Sequence, residues 1–252
     1  YNVYIKTIGA FMVQKIFTEV EAQAIVDTLI RGNNSYLQER VNKRNEMTVS
    51  GGYAWTRPNH LDDAFAKANL PFIKDYSLKK AGESWQYLEF QASNNSRKTM
   101  LIIKNRTRLS ATYEKKGQAE TSQYLVDCAA INKDIAGKDK PSTEPEKIQL
   151  ELFDDFPNFN DVSVKEHFKD FEAFYAIVYE VDQIKHINKV EIVMPNPFTQ
   201  LLDRVQDLTN FLSESEISQF SSDILQDFPE EAPMLSEEYG YVAREEEEEN
   251  AQ

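Results

Sequence analysis

Four strongly β-prone runs, arranged as two pairs, constrain this chain most. "SWQYLEFQA" and "TMLIIKN" are joined by the polar "SNNSRK", and "FEAFYAIVYEVD" and "NKVEIVMPNP" flank a second polar turn. Aromatic and β-branched residues with turn residues between them predict two antiparallel hairpins. After each pair the period changes. "ETSQYLVDCAAINKDIA" places Tyr124, Leu125, Cys128, Ala129 and Ile131 at helical spacing and ends near Gly137, while "FTQLLDRVQDLTNFL" predicts an amphipathic helix begun after Pro197. "TRLSATYEKK", between the first pair and its helix, reads as a third strand.

Upstream the pattern is helical. In "FTEVEAQAIVDTLI", Thr18 is a candidate N-cap with Glu21 three residues later, and Val20, Ala24, Ile25 and Leu29 share a face. "NSYLQERVNKRNEM" predicts a second helix after the break Gly32-Asn33-Asn34, and "GGYAWTRPNHLDDAFAKANLP" predicts a loop, an Asn-capped helix from about His60 to Lys67, and a stop at Pro71. The expected class is α+β: N-terminal helices followed by antiparallel hairpins and helices in a β-β-α, β-β-α order, with an acidic C-terminal tail. The segments are 1–137 (helical start and first hairpin-helix unit), 138–160 (linker), 161–212 (second hairpin-helix unit) and 213–252 (tail).

Charge separates that tail from the body. Residues 213–252 hold thirteen acids against one base, Arg244, which accounts for −12 of the net −14. A nearly balanced body with a polyanionic tail argues against tight nonspecific nucleic-acid binding, which needs clustered cations to release counterions. Arg97, Lys98, Lys104, Arg106 and Arg108 cluster around the first hairpin and, with large aromatics such as Trp55, Trp85 and Tyr87, would make a basic and aromatic nucleic-acid face, yet such aromatics are also core residues and such charges the wet side of a strand. One cysteine, Cys128, excludes an internal disulfide framework and fits a reducing compartment. With no apolar run of the roughly 20 residues that span a bilayer and no signal-peptide pattern, the expected location is the cytoplasm.

Catalytic and cofactor signals are sparse. His60, His167 and His186 are the only histidines, and no two share a helical face, so no metal site is expected. Neither a P-loop nor a dinucleotide fingerprint occurs, and no cofactor is assigned. Glu114-Lys115-Lys116 gives the Glu-x-Lys of a metal-dependent nuclease core, with Asp75 as a partner acid; a charged turn closing a strand has the same composition.

The sharpest functional feature follows the linker "GKDKPSTEPE", whose composition keeps it solvated. Gln149-Leu150-Glu151-Leu152-Phe153 resembles the pentapeptide by which bacterial polymerases and repair proteins dock on the DNA sliding clamp: Gln, Leu, Ser or Asp, Leu, Phe. Four positions agree and Glu151 departs. The resemblance implies that the Gln149 amide bonds the groove rim, Leu150 fills a small subsite, and Leu152 with Phe153 fills a deep apolar pocket. At average residue usage Gln-Leu-x-Leu-Phe arises by chance in roughly one chain of this length in 250. A second reading stays open: Ile148, Leu150 and Leu152 alternate with Lys147, Gln149 and Glu151 as in a half-buried strand.

The helical start with "WTRPN", the "WQYLEF" hairpin and the "FYAIVYEVD" strand are similar to a poorly characterised group of bacterial and prophage-encoded proteins. That resemblance implies a mobile-element context and no catalytic residue. The expected function is non-enzymatic: docking on the bacterial sliding clamp or another replication or repair protein through Gln149, Leu150, Leu152 and Phe153, inhibiting or modulating that machinery. The acidic-hydrophobic tail would assist, as a DNA mimic or by folding onto a basic partner. The alternatives are a metal-dependent nuclease of a defence or toxin system, resting on Glu114 and Lys116, and a lysogeny regulator that binds a repressor protein.

Overall fold

Alternation on two central strands organises the molecule. In the computed structural model, which describes residues 15–81, 85–94, 97–114, 122–136 and 168–221, β3 (Arg97–Asn105) turns Leu101 and Ile103 to one core and Met100 and Ile102 to another. β4 (Ala173–Val181) does the same with Ile177 and Tyr179 against Phe174, Ala176 and Val178. A strand buried on both faces needs a continuous apolar run, which is what "MLII" and "AFYAIV" supply. These two strands pair in parallel, from Thr99↔Ala173 to Asn105↔Tyr179.

Around them lie β1 (Ile73–Ala81), β2 (Trp85–Asn94), β5 (Ile187–Pro195) and β6 (Leu202–Asp207), giving one six-stranded mixed sheet in chain order. Every other pairing is antiparallel. Helices α1 (Glu19–Glu46) and α2 (Arg57–Lys67) cover one face; α3 (Arg106–Tyr113), α4 (Gln123–Ala129) and the 3-10 turn Ala130–Asp134 cover the other. A last short helix, α5 (Phe211–Glu214), follows β6.

The class is therefore α+β, with N-terminal helices followed by a six-stranded mixed sheet, and both expected hairpins form. The finer order differs: among the described elements it is three strands, two helices, three strands. β1 escapes a periodicity reading because Asp75, Tyr76 and Leu78 are all exposed on an edge strand. "TRLSATYEKK" yields α3 instead of a strand, since Asn105 Oδ1 caps the Arg108 N–H at 3.1 Å and Leu109 and Tyr113, one turn apart, are both buried. The helix expected after Pro197 becomes β6: Asn196 Oδ1 accepts the N–H groups of Phe198 and Thr199, closing a turn that lays Leu202 beside Pro195. Likewise α2 starts at Arg57, three residues early, with Pro58 in its first turn, where the missing N–H costs nothing.

The capping box of Thr18 and Glu21 forms as the sequence predicts, with Thr18 N donating to Glu21 Oε2 at 2.9 Å. The predicted break at Gly32-Asn33-Asn34 does not form: α1 runs unbroken through it. Low helix propensity at three positions is offset by three tertiary contacts. A Cβ on Gly32 would lie 3.0 Å from both His60 O and Leu61 Cα of α2. Asn33 Nδ2 donates to Lys185 O at 3.0 Å, and Asn34 takes the backbone of residues 218–220 on both ends of its amide, with Nδ2 to Ser218 O at 2.9 Å and Phe220 N to Oδ1 at 2.7 Å. Gly32→Ala should therefore destabilise by about 1–3 kcal/mol despite the better helix former, because the clash is with backbone that cannot rotate away. Urea unfolding checks the sign; a stabilised variant would mean the helices separate without cost.

Candidate partner-binding site

Gln149, Leu150, Leu152 and Phe153 lie outside the described residues, as do the linker 138–160, the acidic residues 222–252, Lys116 and His167. What is described is the frame on either side of the peptide. Before it, Asn132 on the 3-10 turn donates Nδ2 to Phe174 O and Pro195 O, both at 2.9 Å, and accepts the Phe174 N–H on Oδ1 at 2.7 Å. Tyr113 adds a bond from its hydroxyl to Asn196 O at 2.7 Å. After it, Glu172 N donates to Lys98 O at 2.8 Å, and Asp170 lies 3.5 Å from Lys98 Nζ. Ala173 and Phe174 open β4, Pro195 closes β5 and Lys98 is the second residue of β3, so Asn132 and Glu172, the anchors among the described residues on either side, lie at one end of the sheet.

A second concentration of functional side chains sits where the sheet divides. The β2–β3 ladder runs only from Phe90↔Leu101 to Asn94↔Arg97, while β3 continues to Asn105 along β4. Asp62 of α2 reaches the gap and accepts the Leu88 N–H on Oδ2 at 2.9 Å. Burial raises its carboxyl to about 6, against partial relief from that N–H and from Lys104. Across the sheet Lys104 Nζ lies 4.7 Å from the Tyr87 ring centre and 5.6 Å from that of Tyr124, with Glu89 and Cys128 buried nearby. Burial pushes the Tyr87 hydroxyl and the Cys128 thiol up, so neither ionises at neutral pH. A buried protonated thiol is an inert one.

Of the nuclease residues, the described acids Asp75 and Glu114 are not brought together. Asp75 is on β1 and Glu114 Oε1 accepts the Leu202 N–H of β6 at 3.0 Å, so they belong to opposite edges of the sheet, about 24 Å apart at the usual strand spacing. Among the described residues no group of three His, Cys, Asp or Glu is placed to hold a metal ion. His60 Nδ1 bonds Ser35 Oγ at 3.0 Å, and burial lowers its pKa; His186 Nε2 bonds Phe220 O at 2.9 Å. The basic cluster is largely spoken for: Lys98 meets Asp170, Arg106 meets Glu114 and Glu191, and Arg108 stacks 5.4 Å over Trp55.

The start of the acidic region belongs to the body. Ser215 Oγ donates to Asp27, the Gln219 amide brackets Ile187 N and O, and Phe220 packs on Tyr36 and Leu37. Asn132 and Asp62 are two of the described buried polar residues that sequence reading passed over. Each stands on an apolar helical stripe, Asn132 with Leu125, Cys128 and Ala129 and Asp62 with Leu61 and Phe65, and a polar residue in such a stripe is the signal that finds them. No helix among the described residues is long and apolar enough to cross a membrane. No family model, curated protein or solved structure matches the chain.

Proposed function

We propose that the chain is a non-enzymatic binding protein that docks on the bacterial DNA sliding clamp through Gln149, Leu150, Leu152 and Phe153 and so modulates replication or repair. The observation that carries this reading is the motif itself, Gln149-Leu150-Glu151-Leu152-Phe153 after the solvated "GKDKPSTEPE"; on either side of it the described Asn132 and Glu172 are both bonded at one end of the sheet. Among the described residues the sheet runs from β1 to β6 in chain order, and the peptide lies outside them. Twelve extended residues reach up to about 40 Å, enough to carry Gln149 well clear of Ala136. The polyanionic end of the chain would add salt-dependent attraction to a basic partner surface, screened over about 8 Å at physiological ionic strength.

Burying Leu150, Leu152 and Phe153 contributes roughly 1.5–3 kcal/mol each before the cost of ordering the connector, which gives a complex in the micromolar range. Titration calorimetry of the full chain with a bacterial clamp should show that heat, and Leu152→Ala with Phe153→Ala should remove it while the melting temperature stays within a few degrees. Absence of heat from the wild type, or undiminished binding by the double variant, sinks the proposal. A double variant that melts far below wild type would place the segment in the core instead.

A further inference from the structure

The two edges of the sheet are finished differently. Along β6, the Gln206 side chain brackets the backbone of Phe17, with Phe17 N to Oε1 and Nε2 to Phe17 O both at 2.9 Å; Glu114 holds Leu202 N; and Arg204 lies 3.7 Å from Asp207. Along β1 no described element follows the strand on its outer side. Tyr76 is 49% exposed and Leu78 61%, on the face that α2 covers only as far as β2. A long edge with uncovered apolar residues is a pairing site unless something caps it.

We propose that β1 pairs antiparallel with β1 of a second copy of this chain across a two-fold axis at Ser77, joining two sheets into one. The strand is self-complementary in that register. Asp75 stands opposite Lys79 of the second copy, twice over, and Tyr76 stands opposite Leu78 on the other face. Cross-strand partners of opposite charge, and aromatic with aliphatic, are the favourable pairs of an antiparallel ladder. The remaining mismatch is Lys74 opposite Lys80. It is relieved within the strand: the ladder to β2 slips between Ile73 and Asp75, and Lys74 Nζ turns back to Pro71 O at 2.7 Å. The Tyr76 N–H, taken in the single chain by Asp75 Oδ1 at 2.8 Å, passes to the second copy's Leu78 carbonyl, and the Asp75 carboxylate passes to its Lys79. An isologous contact of this kind closes on itself and leaves no free β1 edge for further growth.

Sedimentation of the full chain tests it without reference to any clamp. A reversible dimer of the 29.1 kDa chain is expected at tens of micromolar. Asp75→Lys alone and Lys79→Asp alone each set like charges opposite one another twice and should weaken self-association on the order of tenfold or more. Mixing the two variants restores complementarity, so the mixture should form a heterodimer that neither forms by itself. Circular dichroism confirms that both variants fold, as surface charges on an edge strand should allow. A wild type that remains monomeric overturns the proposal, as does a dimer indifferent to both reversals. A monomer whose β1 amides exchange slowly would also overturn it, by placing another segment of the same chain on this edge.

Discussion

Asn132→Ala is expected to lower folding stability by about 3–5 kcal/mol. One amide on the 3-10 turn satisfies three buried backbone groups on two strands: Phe174 N–H, Phe174 O and Pro195 O. Asn132 itself is fully buried, so no water replaces it without rearrangement. Each orphaned group costs about 1–3 kcal/mol, with the carbonyls at the lower end because each has a second lone pair. For a chain of this size the melting temperature should fall by roughly 10 °C. Asn132→Asp keeps the acceptor for Phe174 N–H but removes both donations and buries a charge, so it should not rescue. Urea denaturation measures the loss, and a change below about 1 kcal/mol would mean the turn is not holding the sheet. Calorimetry of the same variant with a clamp separates scaffold from bait: the folded fraction should bind as wild type does, the opposite of what Leu152→Ala with Phe153→Ala should give.

That contrast follows the line between what local sequence encodes and what it does not. The hairpin strands β2 to β5 were legible because aromatic and β-branched runs carry their own turn signals, and the Thr18 cap because its partner is three residues away. The edges were not. β1 buries too little to alternate, and the apolar residues of β6 fit a helical spacing as well as a strand until Asn196 closes the turn. Gly32-Asn33-Asn34 reads as a break because propensity is a local quantity, whereas the contacts that override it come from α2, from Lys185 and from residues 218–220. The site divides in the same way. Gln149 to Phe153 is visible as a contiguous motif, while the role of Asn132 depends on a bond to Pro195, 63 residues away.

Asp62→Asn should reverse the usual effect of touching a buried polar residue and stabilise the protein at neutral pH. Burial raises the Asp62 carboxyl from an ordinary value near 3.8 to about 6, so folding disfavours its ionised form. A raised carboxyl helps the folded state below its unfolded value, and that help is lost as pH climbs through the folded value. Wild type should therefore be least stable, as far as this group is concerned, above pH 6. The cost there is about 3 kcal/mol, with Lys104 as the cation that limits it. Asparagine keeps an oxygen for the Leu88 N–H at the divided edge of β2 and carries no charge. The two proteins should unfold alike near pH 3.5 and diverge between pH 4 and 6, with the variant ahead by about 2–3 kcal/mol at pH 7. Taking the difference between the curves cancels the other titrating groups, including His60, whose lowered pKa acts in the opposite sense by penalising the folded state as pH falls. Parallel curves across that range would mean Asp62 is already ionised without cost, and that Lys104 sits closer to it in charge than burial does.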